Sequence, residues 1–117
     1  VTDPRPSVED YDWVEAFGYA GDPGKVFDRD AGDGAAGELF GLADVVEFLG
    51  WSAGENDGRS WIAWGRLKDG RYFYLSAGCD YTGWDCQAGG EAWVSRDRET
   101  VWRQIPDDDR ERMKEDA

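Results

Sequence analysis

A chain of 117 residues supports one domain and leaves little room for a second. A hydrophobic content of 40%, with seven Trp, excludes global disorder, while 26 acids against 13 bases give a formal charge of −13 that opposes direct binding to a nucleic-acid backbone. The absence of histidine removes Ser-His-Asp and Cys-His nucleophilic catalysis together with His-containing zinc sites.

The charge is uneven. Residues 1–59 hold 14 acids and 4 bases, a net of −10, and residues 60–117 hold 12 acids and 9 bases, a net of −3. The N-terminal stretch VTDPRPSVED has neither a basic region nor an apolar segment, and no apolar run approaches the roughly 20 residues that span a bilayer. The expectation is a cytoplasmic chain with no signal peptide and no membrane span.

Ser7 precedes Val8-Glu9-Asp10-Tyr11 as a helix cap, and Val8, Tyr11, Val14 and Phe17 recur at helical spacing with Glu9, Asp12 and Glu15 outward. A first helix ending near Gly18 or Gly21 is expected. Residues 21–37 are rich in Gly and Asp and read as a surface loop. A second acidic helix is expected over roughly 37–49, with Leu39, Leu42, Val45, Val46 and Leu49 inward, Glu38, Asp44 and Glu47 outward, and Gly50 as terminator.

Beyond a polar stretch at 52–58 the period becomes two. Runs 61–67 and 71–77 flank Asp69-Gly70, which reads as a two-residue hairpin turn placing Leu67 opposite Tyr72, Gly65 opposite Tyr74, Trp64 opposite Leu75 and Ile62 opposite Ala77. In that register Ile62, Trp64, Phe73, Leu75 and Ala77 share a core face. Trp61, Ala63, Leu67, Tyr72, Tyr74 and Ser76 share the other, with Gly65 making room for Tyr74; either the C-terminal segment covers this second face or it is a recognition surface. A third strand is expected around Glu91 to Ser95, then a helix over 96–104 capped by Ser95, and a further helix start at Pro106 and Asp107-Asp108-Asp109. The expected fold is a single α+β domain over 1–117: two N-terminal acidic helices, a three-stranded antiparallel meander, and one or two short C-terminal helices.

Cys79 and Cys86 close the near-palindromic CDYTGWDC and supply too few thiolates for a four-ligand zinc site, so packed free thiols are expected. Asp80, Thr82 and Asp85 suit a turn braced by side-chain-to-amide hydrogen bonds, with Gly83 at its tip. Tyr81 and Trp84 then either project as partner anchors or fold back as a lid on the core. The segment from Asp28 to Glu38 resembles a calcium loop, but counting from Asp28 puts Gly32 at position 5 and Leu39 at position 12, where an EF-hand needs an oxygen ligand. No metal and no cofactor is expected.

The run Tyr74 to Gln87, which contains GCDYTGWDCQ, resembles a stretch in small uncharacterised proteins of bacteria and their phages. The resemblance covers about 14 positions; it implies a genomic setting, and no activity or functional residue comes with it. Together these readings lead to a non-enzymatic, acidic protein-binding domain with no catalytic residues, possible in a phage-encoded host-takeover or inhibitor role. Its partner would be a basic, nucleic-acid-binding host protein, and the acidic surface would imitate nucleic acid. The candidate partner-binding residues are Tyr81, Trp84, Asp80, Asp85, Asp12, Glu15, Asp44, Glu47, Tyr72 and Tyr74. The alternatives are a small hydrolase or transferase using carboxylates with Tyr or Cys, and a minor structural or oligomeric component.

Overall fold

The computed structural model describes residues 6, 12–13, 16–17, 40–55, 58–78 and 89–116. A single 3-10 turn, Leu42–Asp44, leads into strand β1 (Val45–Ser52), followed by β2 (Trp61–Leu67), β3 (Tyr72–Gly78), β4 (Gly89–Ser95), helix α1 (Arg98–Gln104) and helix α2 (Asp107–Asp116). The strands pair antiparallel in the order β1-β2-β3-β4.

The architecture is α+β, but the expected plan is corrected in its elements. The sheet has four strands instead of three, and both helices that form full elements among the described residues are C-terminal. Of the stretch expected as a first helix, Asp12, Trp13, Ala16 and Phe17 are described, in helical conformation; its other residues, and the loop at 21–37, lie outside the described set.

The helix expected over 37–49 is replaced by the turn at 42–44 and by β1. Two β-bulges explain why the sequence misleads there. Pairing with β2 shifts register between Val45 and Glu47 and again between Phe48 and Gly50, and each bulge inserts one residue into the alternation. Val45, Phe48 and Trp51 consequently pack on the same core. A spacing of three in a bulged strand imitates the spacing of an amphipathic helix.

The β2–β3 connection is likewise corrected. Leu67 N–H donates to the Arg71 carbonyl at 2.7 Å and Gly70 N–H to the Leu67 carbonyl at 3.0 Å, with Gly70 at φ +94°. This is a three-residue loop, Lys68-Asp69-Gly70, ending in a left-handed glycine, and not the two-residue turn that Asp-Gly suggests. The pairs are therefore Arg66 with Tyr72, Gly65 with Phe73, Trp64 with Tyr74, Ala63 with Leu75 and Ile62 with Ser76. A slip of one residue moves every β3 side chain to the opposite face relative to β2.

Both sheet faces are covered. On one, Trp61, Ala63, Leu67, Phe73, Leu75 and Ala77 join Ala92 and Val94 beneath Trp13, Ala16, Phe17 and Phe40. Phe17 lies edge-on to Phe40, Phe48 and Phe73 at centroid distances of 6.0, 6.2 and 5.7 Å, a geometry that adds to the area these rings bury. On the other face, Ile62, Trp64 and Tyr74 pack against Val101, Ile105 and Met113 of the C-terminal segment.

Gly65 stands between Phe48 and Phe73, and a Cβ there would lie 2.1 Å from the Glu47 carbonyl oxygen, so its place is set by the close approach of the bulged strand and not by Tyr74. Asp97 caps α1, accepting from Thr100 N–H at 3.2 Å and from its hydroxyl at 2.7 Å, while Ser95 Oγ accepts from Asp97 N–H. The cap is thus two residues later than expected.

Candidate functional site

The row that leads to a site runs across the helix-covered face as Gly50, Trp64, Tyr74 and Trp93, one residue per strand. At Gly50 an added Cβ would stand 3.2 Å from the Trp64 indole and 3.4 Å from Met113 Sδ. Glycine there lets the indole lie over β1, which is its role in place of the helix stop read from the sequence. Trp64 is then met by Trp102 of α1, with ring centroids 4.9 Å apart and planes tilted by 43°.

Between β1, α1 and α2 these rings border an open groove of about 600 Å³. Its apolar lining comes from Leu49, Trp51, Trp64, Trp102 and Met113, and its charged rim from Asp107, Arg110, Glu111 and Lys114 on α2. The volume falls within the range of ordinary ligand sites. A smaller recess of about 210 Å³ lies on the other side of the Trp pair, beside Arg98 and Glu99.

Two arginines of α2 face the protein. Arg110 stacks over Trp102 at 4.7 Å from the ring centroid, donates to the Trp102 carbonyl at 2.8 Å, and pairs with Asp107 at 3.2 Å. Its Nε is buried with no hydrogen-bond partner among the described residues. Arg112 reaches under the sheet end, donating to Ser52 Oγ (3.0 Å) and to the carbonyls of Ser52 (3.3 Å), Ala53 (3.3 Å) and Ser60 (2.5 Å). Asp107, Asp108 and Glu111 are by contrast exposed, while Asp109 is half-buried and accepts from the Tyr74 hydroxyl.

The residues named from the sequence are dispersed. Asp44 accepts from Gly41 N–H at 2.8 Å and pairs with Lys68 at 3.3 Å; Glu47 pairs with Arg66 across the β1–β2 ladder at 3.3 Å. Both act locally, bracing the start of β1. Tyr74 is 2% exposed and donates its hydroxyl to Asp109 of α2, Tyr72 is half-buried on the same face, and Asp12 is exposed. None of these five lines the groove. Glu15, Asp80, Tyr81, Trp84 and Asp85 lie outside the described residues, as do Cys79, Cys86 and the segment 28–38.

The groove residues carried a weak signal in the sequence. Trp64 reads as core, and only the pairing of Gly50 with Trp64, hidden behind two bulges, would have shown the indole lying over a bare strand. Among the described residues no group of three His, Cys, Asp or Glu could hold a metal ion, and no helix is long and apolar enough to cross a membrane.

Asp69 shows how the remaining charge is used. Burial pushes its carboxyl upward, but the hydrogen bonds from Arg71 N–H (3.1 Å) and Arg71 Nε (2.8 Å), with the charges of Arg71 and Arg96, outweigh this and hold it below the usual carboxylate value. Arg96 also donates to the Asp69 carbonyl at 3.2 Å, tying the hairpin loop to the end of β4. The hydrogen bond from the Thr100 hydroxyl likewise holds Asp97 below its ordinary value.

Comparison with protein-family models, curated proteins and solved structures gives no match for this chain.

Proposed function

We propose that the chain is a non-enzymatic, acidic protein-binding domain whose partner is a basic, nucleic-acid-binding protein, and that it serves a phage in taking over or inhibiting a host factor. The observation that carries this reading is the sorting of charge. Acids outnumber bases by 26 to 13, and Arg66, Lys68, Arg71 and Arg110 pair with carboxylates of the same chain. Arg112 serves backbone carbonyls. Each of these pairs occupies one carboxylate as well, so the net charge of −13 remains to set the exterior potential, which favours a positively charged partner and repels polyanions.

The reading is tested by affinity capture from a lysate of the bacterial host at low and high salt, with a Tyr81→Ala/Trp84→Ala variant in parallel. A basic partner should be retained at low ionic strength, released as salt shortens the screening length, and held less well by the variant. Recovery of no basic protein, or retention indifferent to salt, would count decisively against it.

A further inference from the structure

We propose that α2 is a releasable strap: it leaves the sheet as a unit while β1 to β4 and α1 stay folded, and its release uncovers the face that carries Trp64 and Tyr74. The release concerns the chain's own fold and is independent of what the chain binds.

Sequence and packing both point to a helix held at a few places. In DDDRERMKED Met113 is the one apolar residue, and among the described side chains of α2 it alone is buried. A helix held by packing buries an apolar stripe, as α1 does with Val101 and with Ile105 just beyond its end. Helix α2 has no stripe to bury. On its β1 side, the open groove of about 600 Å³ stands where packed side chains would otherwise supply dispersion contacts.

The other tethers are polar. Asp109 accepts from the Tyr74 hydroxyl of β3, Arg110 donates to the Trp102 carbonyl of α1 at 2.8 Å, and Arg112 donates to Ser52 Oγ at 3.0 Å and to the Ser60 carbonyl at 2.5 Å. Each such bond is exchanged for one to water on release, so its net worth is a small part of its gross strength. Arg110 Nε, buried with no partner among the described residues, gains one outside. Connectivity supplies the hinge. Ile105 is buried and keeps the end of α1 in the core, its backbone is extended (φ −77°, ψ 122°), and the exposed Pro106 precedes the first turn of α2. Segments with few buried apolar contacts open at lower free energy than the core they rest on.

Native-state hydrogen exchange of the full chain in low urea, followed amide by amide by NMR, tests the release. Arg110, Glu111, Arg112 and Met113 should share one opening equilibrium, at least about a hundredfold more populated than that of the β2 and β3 amides and with a much weaker urea dependence. Tyr74→Phe removes one tether and keeps the ring, and should hasten exchange of those four amides about tenfold; Asp109→Ala, which removes the same tether from the helix side, should act alike. Val94→Ala lies in the core on the opposite sheet face. It should hasten the sheet amides about tenfold and leave the four α2 amides unmoved, because the sheet is intact in the released form.

Exchange of the α2 amides at the frequency of the sheet, acceleration of both by Val94→Ala, or indifference to both tether variants would each overturn the proposal. Protection that declines residue by residue from Arg110 towards Asp116 would mean fraying of a helix end, and would overturn it as well.

Discussion

Gly65 and Asp69 show how far a single residue can govern this sheet. At Gly65 any side chain would drive a Cβ to 2.1 Å from the Glu47 carbonyl oxygen, a contact with backbone that cannot rotate away. Gly65→Ala should therefore lower unfolding stability by about 2–3 kcal/mol, as overpacking does in a close-packed interior; an unchanged urea midpoint would contradict the close approach. Asp69 has a different signature. Its folded pKa is depressed, so its contribution is complete above the ordinary value of 3.8 and disappears as pH falls through the lower folded value. Asp97 acts in the same direction and the same range. Asp69→Asn should accordingly be less stable than the parent near neutrality, and the gap should close on acidification. Urea midpoints measured from about pH 6 to about pH 2 would show this, and a constant gap would refute it.

Elements differ in how openly the sequence declares them. Strands β2 and β3 stand out as apolar, aromatic-rich runs on either side of Asp69-Gly70, and the C-terminal helix starts at the Asp-rich turn after Pro106, because local pattern and local geometry agree there. Strand β1 was not legible: with Val46 and Leu49 inserted by bulges, Val45, Phe48 and Trp51 fall at intervals that belong to a helix. The register of β2 and β3 was hidden for a similar reason, since Asp-Gly serves both a two-residue turn and the last two places of a three-residue loop. The hydrogen bond from Leu67 to Arg71 and the pairing of Arg66 with Tyr72 distinguish them. The candidate groove was less legible still, because it combines side chains from a bulged strand, its neighbour and two helices.

Helix α2 is joined to the sheet by Met113 in the core and by Arg112, whose planar guanidinium serves carbonyls on both sides of the β1–β2 connection. Arg112→Ala should cost about 1–3 kcal/mol. Arg112→Lys should rescue little of it, since a point-like ammonium cannot reproduce the fork. Thermal melts of both variants give the comparison, and full rescue by Lys would show that charge alone mattered.

At the scale of the whole molecule, carboxylate self-repulsion opposes compaction. A net charge of −13 on 117 residues should make stability rise as salt is added from very low ionic strength, as repulsion between surface charges is screened. Melting temperatures collected across a sodium chloride series should climb and then level; a monotonic fall would mean that the internal ion pairs outweigh the repulsion. Partner capture is expected to respond in the opposite sense, which allows one salt series to separate folding from association. The doubled bulge in β1 carries a further consequence for molecules crowded together. An outer strand with two interruptions in its pleat offers no continuous ladder for a strand of another molecule to copy, which works against edge-to-edge association and the fibrils it seeds.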